Sequence, residues 1–163
     1  DSAFVIGWSD GGINGLLLSI RHPEKVKKLA VTGANLWPDS TAVYNDVIDL
    51  IQPFYDTIMA KNILNPKDKT LKKLMRLLVE QPDISISQLH QIQCPTLVIG
   101  GDHDVIRVEH TVLIARQIPR AYLWILPNSG HSTPIVYKDQ FNATVADFFK
   151  TDYRIIDKEK RFN

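Results

Sequence analysis

Gly7-Trp8-Ser9-Asp10-Gly11 sets a serine between glycines two residues away on either side. A serine hydroxyl is almost wholly protonated at neutral pH, so it attacks a carbonyl only when a neighbouring base takes its proton. The pattern suits a strand that reverses sharply into a helix and holds the serine in a strained, exposed conformation at the helix N-terminus. Side chains at Gly7 and Gly11 are expected to collide across that turn, and Gly12 and Gly15 to let the helix approach the sheet closely. The Asp10 amide is then placed to donate to a developing oxyanion. The plainer alternative is a glycine-rich strand-to-helix connection with an ordinary serine. Context favours the first reading, because residues 4–8 are strand-like and residues 10–21 have helical period.

The base needs a carboxylate that fixes its tautomer, and strand–serine–helix motifs of this kind are followed along the chain by an acid and then a histidine. Asp104 lies in Gly101-Asp102-His103-Asp104-Val105, just past the carboxyl end of the clearest strand, the sheet edge where ligands sit. Asp102 competes for the role; it is closer to the strand end and suited to capping the turn, and Asp104 is preferred because strand–serine–helix motifs of this kind place the acid a few residues beyond the strand. His131 lies in Pro127-Asn128-Ser129-Gly130-His131, a loop after the last strand. The other histidines fit less well. His22 ends a helix, His90 is in or beside the insertion described below, His103 adjoins the acid, and His110 is within a helix. The expected catalytic residues are Ser9, Asp104 and His131. A metal site from Asp102, His103, Asp104 and His110 is the rival. It is disfavoured because three of these are consecutive and point in different directions. No metal or other cofactor is expected.

These residues need a scaffold, and the chain supplies one by alternating short apolar runs with helical segments, the pattern of a parallel sheet. Strands are expected over residues 4–8, 26–33, 95–100 and 122–126, the first of them buried. Helices are expected over 10–21 and 108–117, and a closing helix bears Phe141, Val145, Phe148 and Phe149 on one face. Residues of about 36–92 interrupt the alternation. Val43, Val47, Ile48 and Ile51 recur at helical spacing, as do Leu71, Leu74, Met75 and Leu78. Pro53, Pro66 and Pro82 are expected to divide this all-helical insertion into short helices. It reads as a lid over a pocket, with packing bulk on the sheet edge as the alternative. Trp37, at its start, is either a pocket wall or packing. The charged tail, 152–163, is expected on the surface.

Composition narrows the partners. Nineteen Lys and Arg nearly balance 18 Asp and Glu, so no field steers the protein to nucleic acid or an anionic membrane. No apolar run approaches the roughly 18–20 residues of a membrane span. The single cysteine, Cys94, cannot form an internal disulfide, which is compatible with a reducing, cytoplasmic compartment. A small-molecule substrate is the partner expected.

Gly7-Trp8-Ser9-Asp10-Gly11-Gly12, the Gly33-Ala34-Asn35 strand ending, Cys94-Pro95-Thr96-Leu97, the Gly-x-x-Asp ending at Asp104 and Gly130-His131 together resemble the α/β-hydrolases. Among these the chain is most similar to the valacyclovir-hydrolase, or biphenyl-hydrolase-like, branch. The resemblance implies an α/β fold: the C-terminal half of an α/β-hydrolase, about four parallel strands with flanking helices and the helical lid, residues 1–163 forming a partial domain. It implies a serine hydrolase of carboxylic esters, including α-amino-acid esters, acting through an acyl-enzyme. In that branch the acidic residue after the nucleophile binds the substrate ammonium, and the matching position is Asp10. The bottom-up alternative is that Asp10 only favours the helix N-terminus, by about 0.3–1 kcal/mol.

The family's complete enzymes carry strands and helices ahead of the nucleophile strand, including the loop with the second oxyanion amide. The chain is therefore expected to be part of a longer hydrolase. Alone it is expected to be weakly active or inactive and to associate into a homo-oligomer through the open edge of its first strand. Similar motifs serve C–C hydrolases and thioesterases, and a non-catalytic interaction protein retaining the fold is a further alternative.

Overall fold

The computed structural model describes residues 1–62, 65–156 and 160–161. Four parallel strands form one sheet in chain order: β1 (Ala3–Trp8), β2 (Val26–Thr32), β3 (Thr96–Gly101) and β4 (Ala121–Leu126). The register sets Trp8 beside Thr32, Thr32 beside Ile99 and Gly101 beside Leu126, so the four carboxyl ends share one rim.

Alternation along β2 and β3 sorts side chains to opposite faces. On one face, Leu29, Val31 and Val98 pack with Leu16 of α1 (Asp10–Arg21) and Ile114 of α5 (Val108–Gln117). On the other, Ala30, Leu97, Ile99 and Leu126 meet Phe141, Val145 and Phe148 of α7 (Lys138–Lys150). β3 is buried along its whole length because strands flank it and helices cover both faces. Each fully buried Leu or Ile in such a core contributes about 1.5–3 kcal/mol.

β1 departs from the buried strand expected. Phe4 is 51% and Ile6 57% exposed, because among the described residues β1 pairs only with β2 and is the sheet edge. Phe4 finds partial cover by stacking on Phe149 at 4.9 Å.

Between β2 and β3 the chain forms α2 (Asn45–Ala60), α3 (Pro66–Glu80) and the single turn α4 (Ile86–Leu89). Residues 63 and 64 of this insertion lie outside the described residues. Ile58 and Met75 are the buried positions of α2 and α3, and Lys72 Nζ donates to the Met59 carbonyl at 2.8 Å. Pro66 opens α3 behind the Asn65 cap, as a proline at the first helical position does. Pro53 does not divide the insertion. It sits inside α2, where the donor it lacks belongs to an exposed stretch and the unpaired Asp49 carbonyl can face water. Nor does Val43 belong to that helix; it bridges antiparallel to Ile106.

Of the tail over 152–163, residues 157–159, 162 and 163 lie outside the described residues. Residues 152, 154–156, 160 and 161 are exposed, and Tyr153 stacks on Tyr122 at 4.9 Å. Among the described residues no helix is long and apolar enough to cross a membrane.

Candidate active site

Ser9 stands between β1 and α1 at φ 56°, ψ −124°. This left-handed conformation is costly for a residue with a side chain, and persists because neighbouring groups hold it. Its N–H donates to the Thr32 carbonyl at 2.9 Å, and its carbonyl accepts from Gly12 and Ile13. A Cβ at Gly7 would run into the Gly11 carbonyl, so the turn demands a glycine there. Gly11 is not constrained in the same way: a Cβ at that position meets nothing within 4 Å. It is the backbone of Gly11 that crowds Gly7, and its own missing side chain would point into open space. Gly12 and Gly15 do lie tight against Ala34 and Leu29. Asp10, first in α1, has no intrahelical acceptor for its N–H.

The loop after β3 brings in Asp104, 3% exposed. Its Oδ1 accepts from His131 Nδ1 at 2.7 Å and from the Ile106 N–H at 3.3 Å. Its Oδ2 is buried without a hydrogen-bonding partner among the described residues. The loop after β4 brings in His131, whose Nε2 lies 3.0 Å from Ser9 Oγ. Serine, imidazole and carboxylate thus form one continuous chain of hydrogen bonds, with partners 27 and 122 residues apart.

Asp102 does other work. Its Oδ1 pairs with His103 Nδ1 at 2.8 Å and accepts from the Ser129 N–H at 3.0 Å. The His103 imidazole, with help from the Asn128 and Ser129 amides, lowers the Asp102 carboxyl to about 2. The Ser129 carbonyl in turn accepts from the His103 N–H at 2.9 Å. Asp102 is therefore the tie that fixes the His131 loop to the β3 loop. His110 is buried in α5, where its Nε2 accepts from the Leu36 N–H at 3.0 Å and its ring meets Trp37 edge-on at 4.8 Å. Burial pushes its imidazole down to about 4. The four members of the rival metal set are thereby dispersed, and no group of three or more potential ligands stands together among the described residues.

A cavity of about 150 Å³ opens beside Ser9, Asp10 and His131. Its far walls are aliphatic: Val47, Ile48 and Ile51 of α2, Leu78 and Val79 of α3, and Val105 and Ile106 behind Asp104. The insertion thus lies over the rim that carries Ser9 and His131. Trp37 does not line this cavity. Its ring packs on His110 and its Nε1 donates to Thr41 Oγ1 at 2.7 Å, and the adjacent Pro38 forms the wall instead.

Two further contacts hold His131 in place. A Cβ on Gly33, at φ +61°, would stand 2.8 Å from His131 Cε1, so the imidazole rests against bare backbone. The Trp8 indole N–H donates to the His131 carbonyl at 2.8 Å. The Gly-Ala-Asn strand ending was a visible signal for the first; alternation along β1 was a signal for the second.

No family model matches the chain. It is 26% identical over 157 residues to serine hydrolase BPHL of Homo sapiens, covering 90% of this chain and 54% of that protein. The chain spans about half the length of the curated relatives it matches first. The solved structure of MGS-MChE2, an alpha/beta hydrolase enzyme from the metagenome of sediments of the Mar Chica lagoon, Morocco, superposes with a TM-score of 0.67 at 23% identity, covering 91% of this chain and 61% of that one. The enol-lactonase from Burkholderia xenovorans LB400 gives 0.65 at 19%, covering 92% and 66%. The order of its strands, the helices on both faces and these likenesses agree that the chain is built on the α/β-hydrolase fold, of which it holds a four-stranded portion.

Proposed function

We propose that this chain carries the nucleophile, base and acid of a serine hydrolase that cleaves carboxylic esters through an acyl-enzyme. Ser9 Oγ attacks the ester carbonyl while His131 Nε2 takes its proton. His131 then returns that proton to the leaving alkoxide, and the base activates water to release the acid. Asp104 holds the proton on Nδ1 and stabilises the imidazolium. The Asp10 N–H donates to the oxyanion, which forms at the positive end of α1. The observation that carries the reading is the unbroken Ser9–His131–Asp104 chain at 3.0 and 2.7 Å beside a cavity.

The aliphatic walls of that cavity suit an apolar acyl chain, and Asp10 among its lining residues suits a cationic group beside the scissile carbonyl. Similarity to serine hydrolase BPHL supports hydrolysis. One donor fills only half of an oxyanion site, and losing a donor costs on the order of 10²–10³ in turnover. We therefore assign the second amide to a part of the whole protein outside this chain, and expect the chain alone to be weakly active and to self-associate through β1. The test compares hydrolysis of nitrophenyl esters by the whole protein and by residues 1–163. Equal turnover by the two would defeat the assignment of the second amide, and no turnover by the whole protein would favour a non-catalytic role.

A further inference from the structure

Alternation along β1 puts Phe4, Ile6 and Trp8 on one face and Val5 and Gly7 on the other. The Phe4 face lies on the α7 side of the sheet, where Phe4 stacks on Phe149 while Phe4 and Ile6 stay largely exposed, and the loop from β4 reaches its carboxyl end. Trp8 immediately precedes the nucleophile and projects toward the loop that brings the base. Its Nε1–H donates to the main-chain carbonyl of His131 at 2.8 Å, across 123 residues.

That carbonyl has no place in the following helix. α6 (Thr133–Val136) begins with the Ile135 and Val136 amides both bonded to Ser132, one residue beyond His131. On its other side the loop is moored to the β3 loop through Ser129, whose N–H goes to Asp102 and whose carbonyl accepts from His103. Ser129 Oγ and Thr133 Oγ1 close it across its base at 2.8 Å. Between those moorings lie Gly130 and His131, and Trp8 ties that arc to β1.

We infer that Trp8 is a positioning residue for the proposed hydrolysis, its indole N–H holding the His131 main chain so that Nε2 meets Ser9 Oγ. The inference rests on the reading of Ser9 and His131 given above. Residues 8 and 9 then grip His131 twice, by carbonyl and by ring, so any shift of the β1 terminus carries nucleophile and base together. A competing role for Trp8 is apolar cover for the sheet edge, which requires the ring but not its N–H. The two roles separate on a single atom.

The experiment replaces Trp8 by its benzothienyl isostere, in which sulfur takes the place of the N–H, through site-specific incorporation into the whole protein. A fluorotryptophan that keeps the N–H serves as the rescue. Fluorophosphonate labelling rates are measured across pH 5–9 together with the thermal midpoint. The expected result is a plateau rate lower by roughly 10- to 100-fold in the isostere, the scale of a misplacement near 1 Å. The thermal midpoint stays within a degree or so, and the fluorotryptophan protein regains the full rate. An isostere labelled at the parent rate overturns the positioning role while leaving Ser9 as nucleophile intact. Equal loss in both analogues overturns it as well, since the effect then belongs to the ring. Labelling that does not depend on Ser9 overturns the inference together with the proposed function.

Discussion

Gly33 and His131 touch so closely that a Cβ on the former would stand 2.8 Å from Cε1 and 2.9 Å from Nδ1 of the latter. The end of β2 is thus the surface against which the His131 imidazole is seated, although Gly33 has no chemistry of its own. Gly33→Ala asks the imidazole to move and forces alanine into a left-handed conformation, which costs roughly 1–2 kcal/mol. We expect fluorophosphonate labelling to fall at least tenfold. Gly11→Ala, introducing a Cβ into open space at the start of α1, should label normally and unfold no more readily than the parent. Urea titration of both variants checks the contrast.

Two aspartates compete for the acid role, and only Asp104 reaches the imidazole. Asp104→Asn, whose amide N–H can donate to Nδ1, holds the His131 imidazole in the wrong tautomer and should lower turnover by about 10⁴. Asp102→Asn retains an oxygen for the Ser129 amide and should lose less than tenfold. Steady-state kinetics on one nitrophenyl ester distinguishes them, and a larger loss at Asp102 would reverse the assignment.

His110 gives the fold an acid limit. Burial holds its imidazole neutral down to about 4, against 6.5 for an ordinary histidine, so the unfolded chain binds a proton in that window that the folded chain refuses. The contribution is complete above pH 6.5 and is lost as pH falls to about 4, amounting to about 3 kcal/mol. Below that value protonation also removes the acceptor of the Leu36 N–H. Unfolding free energies at pH 7, 6, 5 and 4 should fall accordingly, and His110→Leu should flatten this part of the profile while being less stable at pH 7.

The cavity predicts an acyl preference. With Ile48, Ile51 and Leu78 on its walls, it should favour butyryl or hexanoyl over acetyl nitrophenyl esters in kcat/KM. Ile51→Trp should invert that order by filling the far end. A length preference unaffected by Ile51→Trp would place the acyl group elsewhere.

Much of this site was legible because its parts announce themselves locally. Helices Asp10–Arg21 and Val108–Gln117 run as their periodicity predicts, β3 is the central buried strand its apolar run implies, and Ser9, Asp104 and His131 each occupy a turn at a strand's carboxyl end. Legibility failed where the answer depends on a distant neighbour. Trp37 was undecided between pocket and packing because His110, far along the chain, settles where its ring goes. β1 was read as buried from its apolar content even though its edge was expected to be open, and Phe4 and Ile6 stand exposed because little packs over them. Pro53 was read as a break, whereas a proline on the solvent side of a long helix costs one exposed hydrogen bond. Gly11 was explained by its own missing side chain, when the close approach belongs to Gly7.

The proposed hydrolysis requires Ser9 as the nucleophile, activated by His131. The most direct measurement is fluorophosphonate labelling of the whole protein followed by peptide mass spectrometry. It should place a single adduct on Ser9, abolish it in Ser9→Ala, and slow it by several orders of magnitude in His131→Ala. An adduct of undiminished yield in Ser9→Ala, or one found on another residue, would contradict it.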